Sequence, residues 1–232
     1  MMPVARPFDR FAILKGMTRI AIGILAVLLA APILRADPER LKDAALVLTE
    51  MAGMGDKGIP TSLIAKAQCV VIIPSLKKAA FVVGGQYGRG YMSCRKEGGW
   101  TGPAGMRVEG GSVGFQIGGS ATDVILLVMN QRGVDKLLSN EFKVGADATV
   151  AAGPIGREAS AQTDITMRAE MLAWSRARGV FAGVALQGST LREDSGENKE
   201  LYGREVTNRE IVTGKVESPK VAEDFLKALA KY

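Results

Sequence analysis

Apolar residues between positions 38 and 54 recur at intervals of three and four, which is the spacing of one face of an α-helix. The apolar positions are Leu41, Ala44, Ala45, Leu48 and Met51. This pattern predicts an amphipathic helix packed against a core. The Ile59-Pro60 pair predicts the start of a second, short helix that runs to Ala67, because proline is favoured at the first helical position.

From residue 69 onward the pattern changes to short runs of β-branched and aromatic residues, which are typical of strands. The predicted strands are 69–73, 79–83, 87–94, 113–117, 123–129, 142–152, 158–168, 170–175 and 180–186. Residues 74–78 (PSLKK) are expected to form a turn between the first two strands. Residues 131–138 are predicted to form a helix that buries Val134, Leu137 and Leu138.

Glycine pairs interrupt these strand-like runs at Gly84-Gly85, Gly98-Gly99, Gly110-Gly111 and Gly118-Gly119. Glycine weakens a strand, so its repetition there indicates bulges, sharp bends or close approach of two backbones. A tightly curling sheet needs such features. The predicted fold class is therefore α+β, with a curled, mainly antiparallel or barrel-like sheet and a short parallel pairing allowed.

Helices at both ends of the chain are expected to pack on this sheet. The C-terminal helix is predicted to start at Ser218-Pro219, with the serine as its cap and the proline at its first position. Its predicted buried residues are Val221, Phe225, Leu226 and Leu229.

Residues 1–36 have the pattern of an export signal. Four basic residues precede the short apolar stretch 20–31, and small residues follow up to Ala36. The stretch is too short to span a bilayer comfortably, so a cleaved signal is favoured over an uncleaved N-terminal anchor. We expect an exported, periplasmic or envelope-associated protein whose residues 37–232 form a single domain, with a core at about 40–203 and a helical extension at 204–232.

The basic character of the chain belongs largely to this leader. Residues 1–36 hold five of the 30 Lys and Arg residues and one of the 24 Asp and Glu residues, which leaves residues 37–232 with a formal net charge of +2. A nucleic-acid-binding protein would keep its positive charge in the folded part. The sequence therefore argues against a nucleic-acid partner.

The two cysteines, Cys69 and Cys94, each lie in a strand-like run. A hairpin between those runs would bring them together, and an oxidising compartment favours a disulfide. The alternative is a pair of small buried hydrophobic residues. A metal site is not expected, because the chain has no histidine and two thiols do not complete a zinc site.

Two short motifs resemble catalytic signatures, but their context contradicts catalysis. Residues 110–114 (GGSVG) match the nucleophile elbow of hydrolases, yet a strand-like run follows them and no histidine base exists. Residues 75–78 (SLKK) match S-x-x-K but follow Pro74 rather than opening a helix, and no K-T-G is present. The glycine-rich loops of nucleotide-binding proteins are also missing. We predict a protein that is not an enzyme and needs no cofactor.

Two basic features are candidates for contact with a membrane surface. The first is the predicted turn, where Lys77 and Lys78 would contact phosphate headgroups, Leu76 would insert shallowly, and Arg89 would lie on a nearby strand. The alternative for this turn is an ordinary hairpin kept soluble by its lysines. The second feature is the N-terminal helix with Arg40 and Lys42. Its mixed charges fit a core-packing helix better than an interfacial one.

From about Arg40 to Tyr202 the chain resembles the SYLF-domain family, which occurs in bacterial exported proteins and in eukaryotic lipid-binding and actin-associated proteins. The matching segments are 64–90 (IAKAQCVVIIPSLKKAAFVVGGQYGRG), 98–104 (GGWTGPA), 110–130 (GGSVGFQIGGSATDVILLVMN), 144–157 (VGADATVAAGPIGR), 174–191 (WSRARGVFAGVALQGSTL) and 198–203 (NKELYG). Their order and spacing cover most of the chain after the leader.

The resemblance implies a phospholipid-binding domain. The eukaryotic relatives bind phosphoinositides with help from a basic N-terminal helix, whereas an exported protein would meet anionic phospholipids. Arg157 and Arg178 lie in the family's motifs and imply either phosphate contacts or structural ion pairs. We therefore expect a domain that recognises anionic headgroups at an envelope membrane surface. The alternative is a structural or protein-interaction module with an envelope protein partner.

Overall fold

The computed structural model describes residues 38–55, 58–80, 83–113, 118–139, 141–155, 169–177, 180–184, 186 and 188–232. The apolar leader and the predicted strand 158–168 lie outside these residues. Helices within the described ranges are all too short or too polar to cross a membrane. Residues 36–232 cluster as one compact unit.

Helices and strands occur in groups along the described residues, with helices at both ends and two runs of five strands separated by one helix. The helices are α1 (Pro38–Gly53), α2 (Thr61–Lys66), α3 (Gln131–Leu137), α4 (Ser195–Tyr202), α5 (Asn208–Val212) and α6 (Glu223–Leu229), and the 3-10 turn Lys220–Ala222 leads into α6. The strands are β1 (Cys69–Ala80), β2 (Val83–Lys96), β3 (Gly99–Trp100), β4 (Ala104–Val113), β5 (Gly118–Val128), β6 (Phe142–Lys143), β7 (Val150–Ala152), β8 (Met171–Ala177), β9 (Val180–Gly183) and β10 (Ser189–Glu193).

Eight strands form one path in the order β6-β10-β4-β2-β1-β5-β8-β7, with β3 paired to β2 and β9 paired to β8. All strand pairs of the described residues are antiparallel except β7 with β8. The sheet is strongly curled into a half-barrel. Its two end strands approach each other, because an isolated bridge joins Val144 after β6 to Ala148 before β7. The predicted α+β fold with a curled, mainly antiparallel sheet is confirmed.

Both faces of the sheet are buried. Cys69, Val71 and Ile73 of β1 point into one core cluster, which α3 and α5 also enter. Val70 and Ile72 point into a second cluster, formed with α1, α2 and α6. A strand covered on both faces reads as a continuous apolar run, which explains the sequence CVVII. The predicted buried face of α1 is confirmed, since all five of its apolar residues are buried.

A bulge replaces the turn that the sequence predicts at residues 74–78. β1 runs without interruption from Cys69 to Ala80, and its pairing with β2 shifts between Ile72 and Lys77. Ser75 adopts a left-handed φ of 52°. Its N–H donates a hydrogen bond of 2.9 Å to Oδ1 of Asp123 on β5. The prediction was wrong because proline and polar residues mark bulges as well as turns.

Several other elements also differ from the prediction. The run 142–152 contains only the short strands β6 and β7 with a turn between them, and β3, β4, β10, α4 and α5 were not predicted. The C-terminal helix is present, but Val221 is 49% exposed rather than buried. The 3-10 turn before α6 changes the helical phase at this residue, so the face expected from a regular helix does not apply.

A disulfide joins Cys69 and Cys94, which are direct partners across β1 and β2. Replacing both cysteines by alanine is expected to lower the free energy of unfolding by about 3 kcal/mol, because the bond limits the unfolded chain over a sequence separation of 25 residues. Urea unfolding of the wild type and the double variant measures the difference. Equal midpoints, with the wild-type bond verified by mass spectrometry, would contradict the expectation.

Candidate functional site

Lys77 and Lys78 lie near the glycine-rich end of β1. Lys77 pairs with Tyr87 on β2 and Ala121 on β5, and Lys78 pairs with Gln86 and Ser120. Beyond Lys78, the paired residues of β1, β2, β4 and β5 are all glycine, alanine or serine, as far as Ala80 on β1 and Gly118 on β5. The lysines are therefore the last long side chains before this end of the paired strands.

The two lysines project from opposite faces of the sheet, because successive side chains of a strand alternate. Lys77 is exposed and shares its face with Tyr87, whose side chain is 50% exposed. Lys78 is half-buried and shares its face with Gln86. Within the described residues neither lysine forms an ion pair. We call Lys77, Lys78 and Tyr87 the lysine rim.

Leu76 does not belong to this rim. Its side chain is fully buried, in the same core cluster as Ile73. The bulge turns Leu76 inward, so the expected shallow insertion of its side chain is wrong.

Arg89 is part of a buried ionic network instead of a surface patch. Its Nε donates a 2.5 Å hydrogen bond to Oδ2 of Asp194, and the two side chains are 16% and 6% exposed. Burial alone would raise the pKa of Asp194, but the hydrogen bond and the charge of Arg89 outweigh burial and lower it. The Arg89 charge is thus neutralised inside the protein, so its predicted contact with headgroups does not fit this structure.

Glu197 lies at the centre of this network. Its carboxylate accepts hydrogen bonds from the Tyr91 hydroxyl at 2.5 Å and from Nη1 of Arg40 at 2.9 Å, and Nη2 of Arg89 is 3.4 Å away. Burial, followed by the nearby charge of Glu197, raises the pKa of Tyr91. Arg40 therefore ties α1 to α4, and its predicted contact with lipid is replaced by a structural role.

Two buried asparagines extend the network to β4. Asn198 accepts a hydrogen bond from the Gly105 N–H at 2.7 Å and donates to Asn208 at 2.7 Å. Asn208 donates to the Gly105 carbonyl at 3.0 Å. Sequence reasoning missed these residues. The available signal was Asp194 followed three residues later by Glu197, a pattern that starts helices, and Asp194 does cap α4.

The other basic candidates do not join the lysine rim. Lys42 is exposed on α1 and pairs with Glu39 at 3.0 Å. Arg157 and Arg178 lie outside the described residues. Arg95 lies at the C-terminal end of β2, away from Lys77. Arg95 is nine positions along β2 from Gln86, the partner of Lys78, and this spacing corresponds to roughly 30 Å.

An open groove of about 1200 Å³ lies beside α3. Glu170 is 7% exposed at its wall, and both of its carboxylate oxygens accept hydrogen bonds from Nζ of Lys136, at 2.9 and 3.0 Å. Burial would raise the pKa of Glu170, but the bonds to Lys136 and to the Thr149 N–H lower it. This carboxylate is already paired with Lys136, and its lowered pKa makes it a weaker proton acceptor than an ordinary glutamate. The described residues contain no cluster of metal ligands.

Residues 109–232 match the family model described as "Ysc84: Las17-binding protein actin regulator". The SH3 domain-containing YSC84-like protein 1 of Rattus norvegicus is 31% identical over 198 residues, which are 82% of this chain and 58% of the relative. The Xenopus laevis protein of the same name is 32% identical over 180 residues, 76% of this chain and 53% of the relative. Protein YSC84 of Saccharomyces cerevisiae is 31% identical over 209 residues, 85% of this chain and 44% of the relative.

The chain spans about half the length of these curated relatives. The similarity covers the curled sheet as well as the C-terminal helices, and the family model alone matches more than half of the 232 residues. The chain belongs to the Ysc84 family, the family of the SYLF domain.

Proposed function

We propose that this protein is exported and acts as a non-enzymatic domain that binds anionic phospholipid headgroups at an envelope membrane surface. The observation that carries the proposal is the lysine rim. Lys77 and Lys78 are the last long side chains at one end of the central strands, and within the described residues both lack an ion pair. A cation without a partner remains available to a phosphate group, whereas Arg40 and Arg89 are already neutralised.

Tyr87 adds an amphipathic side chain to the two charges. It is 50% exposed directly opposite Lys77. Tyrosine is favoured where an apolar surface meets water, because its ring and its hydroxyl prefer different environments. The connections that follow are apolar in sequence, with Phe81 and Val82 between β1 and β2. These features support an approach of the domain with this end of the sheet toward the membrane.

Binding by the rim alone is weak. Each lysine near an anionic surface contributes about 1 kcal/mol, so two of them contribute about 2 kcal/mol. The formal charge of +2 over residues 37–232 adds little long-range attraction. Salt is expected to weaken the binding, because the charges of the rim face solvent and are screened.

Charge reversal of each lysine tests the proposal. Each variant, Lys77→Glu or Lys78→Glu, removes one attraction and adds one repulsion. Its binding free energy should therefore weaken by about 2 kcal/mol, which corresponds to about thirtyfold in affinity. The measurement is co-sedimentation of the purified protein with phosphatidylcholine vesicles, with and without phosphatidylglycerol, at low and high salt. Lys96→Glu at the opposite end of β2 is the matched control and should leave vesicle binding unchanged.

The two single variants also separate two orientations. If the sheet end approaches the membrane, both lysines contribute and both reversals weaken binding. If the face bearing Tyr87 lies flat on the membrane, only Lys77→Glu has an effect. Absence of wild-type binding to anionic vesicles, or wild-type affinity in both variants, would overturn the proposal.

A second candidate is a protein-interaction module of the envelope. The description of the family as Las17-binding supports this function class. Binding of a partner in a lipid-free extract that is insensitive to Lys77→Glu and Lys78→Glu would favour it over headgroup recognition.

A further inference from the structure

Three arginines form a row across neighbouring strands, on the face of the sheet that carries Tyr87. Arg107 of β4 is the direct partner of Arg89 on β2 and of Arg192 on β10. Tyr87 is opposite Glu109, and Oε1 of Glu109 lies 3.3 Å from Nε of Arg107, which places all of them on one face. Like charges directly opposite each other on a sheet are destabilising, so each guanidinium requires a nearby anion.

Arg107 is the least compensated member of this row. Arg89 is neutralised within the buried ionic network described above, and Nη2 of Arg192 lies 2.9 Å from a carboxylate oxygen of Glu141. Within the described residues, the only ion pair of Arg107 is its 3.3 Å contact with Glu109. That carboxylate is shared, because its other oxygen lies 3.9 Å from Nε of Arg192.

The end of the Arg107 guanidinium offers two adjacent donors. Its Nε is buried, whereas the side chain as a whole is 39% exposed. Nη1 and Nη2 make no hydrogen bond within the described residues. The edge formed by Nη1 and Nη2 matches two oxygens of a phosphate group, and such charge-assisted paired bonds are among the stronger ones in proteins.

The neighbourhood of Arg107 has an excess of positive charge. The next row of the same face crosses β1, β2, β4, β10 and β6 and contains Lys77, Tyr87, Glu109, Thr190 and Lys143. Lys143 is exposed, and like Lys77 it forms no ion pair within the described residues. We call Lys77, Tyr87, Arg107, Lys143 and Arg192 the Arg107 face. Its four cations outnumber the two carboxylates, Glu109 and Glu141, with which they form ion pairs in the described residues.

We propose that Arg107 binds the phosphate of an anionic phospholipid headgroup through Nη1 and Nη2, and that the domain meets the membrane with the Arg107 face. The inference rests on the headgroup recognition proposed above and adds a binding residue and an orientation to it. Lys77 belongs to both the lysine rim and the Arg107 face. The orientation is the second of the two that the lysine variants separate, with the face bearing Tyr87 flat on the membrane.

The side chains of this face favour headgroups over a protein partner. The core of a stable protein interface is rich in aromatic and other apolar side chains and poor in charged ones. Among the exposed large hydrophobic residues of the described ranges, Tyr87 is the only one that belongs to these two rows of strand residues. A single tyrosine among cations suits the boundary between headgroups and water.

The test compares Arg107→Gln with Arg209→Gln by co-sedimentation with phosphatidylcholine vesicles that contain phosphatidylglycerol, at low salt. Arg209 is the matched control, because it is exposed on α5, which packs against the other face of the sheet. Arg107→Gln should weaken binding at least fivefold, the contribution of one cation near an anionic surface, and Arg209→Gln should bind like the wild type. Arg107→Lys should recover less than half of the lost binding free energy, because lysine keeps the charge but not the paired donors.

Tyr87→Trp provides a second measurement that needs no change at Arg107. The fluorescence of this variant should shift to the blue when anionic vesicles are added, because position 87 would enter the headgroup region. The two native tryptophans, Trp100 and Trp174, are buried. The wild type with the same vesicles therefore gives the baseline.

Wild-type vesicle affinity in Arg107→Gln, full recovery in Arg107→Lys, or no blue shift in Tyr87→Trp would overturn the inference. Thermal unfolding of each variant excludes loss of fold as the cause of weaker binding. If the wild type binds anionic vesicles and Lys77→Glu weakens that binding, the proposed function stands even where the inference about Arg107 fails. Absence of wild-type binding would overturn both.

Discussion

Replacing Gly90 by alanine is expected to lower the free energy of unfolding by about 3 kcal/mol or more, because no room exists for a side chain there. A Cβ on Gly90 would overlap the carbonyl oxygen of Ile72 and would lie 2.8 Å from both the Ile72 carbonyl carbon and Cα of Ile73. These contacts are backbone atoms of the β1 bulge, so no rotamer change relieves them. The bulge and its pairing with β2 would have to shift together.

The matched control is Gly85→Ala on the same strand. A Cβ at Gly85 meets only the Gly110 carbonyl oxygen, at 3.9 Å, which is an ordinary contact. We expect its effect to stay within about 0.5 kcal/mol, the usual range for changes at sites without strain or burial. Urea unfolding monitored by tryptophan fluorescence compares the two variants. Similar urea midpoints for the two variants would contradict the expectation, because the β1 bulge would then rearrange at little cost in stability.

Removing the carboxylate of Glu197 is the second change with a large expected effect. Glu197→Ala should cost about 3–5 kcal/mol, because Arg40 and the Tyr91 hydroxyl lose an acceptor in a buried site while Arg89 loses a nearby counter-charge. Glu197 is 1% exposed, so water does not replace the missing bonds. Such a loss is a large share of the 5–15 kcal/mol that stabilises a typical domain.

Glu205→Gln provides the comparison for a surface ion pair. Glu205 binds Lys199 at 3.0 Å with both side chains largely exposed, and its loss should cost less than about 1 kcal/mol. A double-mutant cycle of Tyr91→Phe with Glu197→Gln then measures the buried hydrogen bond itself. Equal stabilities of the Glu197→Ala and Glu205→Gln variants would contradict the role given to the network.

The lysine rim shows how far the sequence leads toward the site. The sequence identified Lys77 and Lys78 as available cations, and the structure leaves both without an ion pair in the described residues. It also suggested Leu76 and Arg89, which depended on the assumed turn at residues 74–78, and Arg40 on the N-terminal helix. A one-dimensional pattern does not separate a bulge from a turn, and that difference moves Leu76 from the surface into the core.

Local sequence patterns determined the fold class of this protein. The period of α1, the apolar run of β1 and the repeated glycines specified an α+β fold with a curled sheet, because helical spacing, burial on both faces and close backbone approach each leave a trace in sequence. The family was also recognisable from motif order. Tertiary structure alone decided which charges are neutralised. Arg89 and Glu197 are 108 positions apart in the chain, and only the packing of α4 on the sheet brings them together, whereas Lys77 and Lys78 form no ion pair within the described residues.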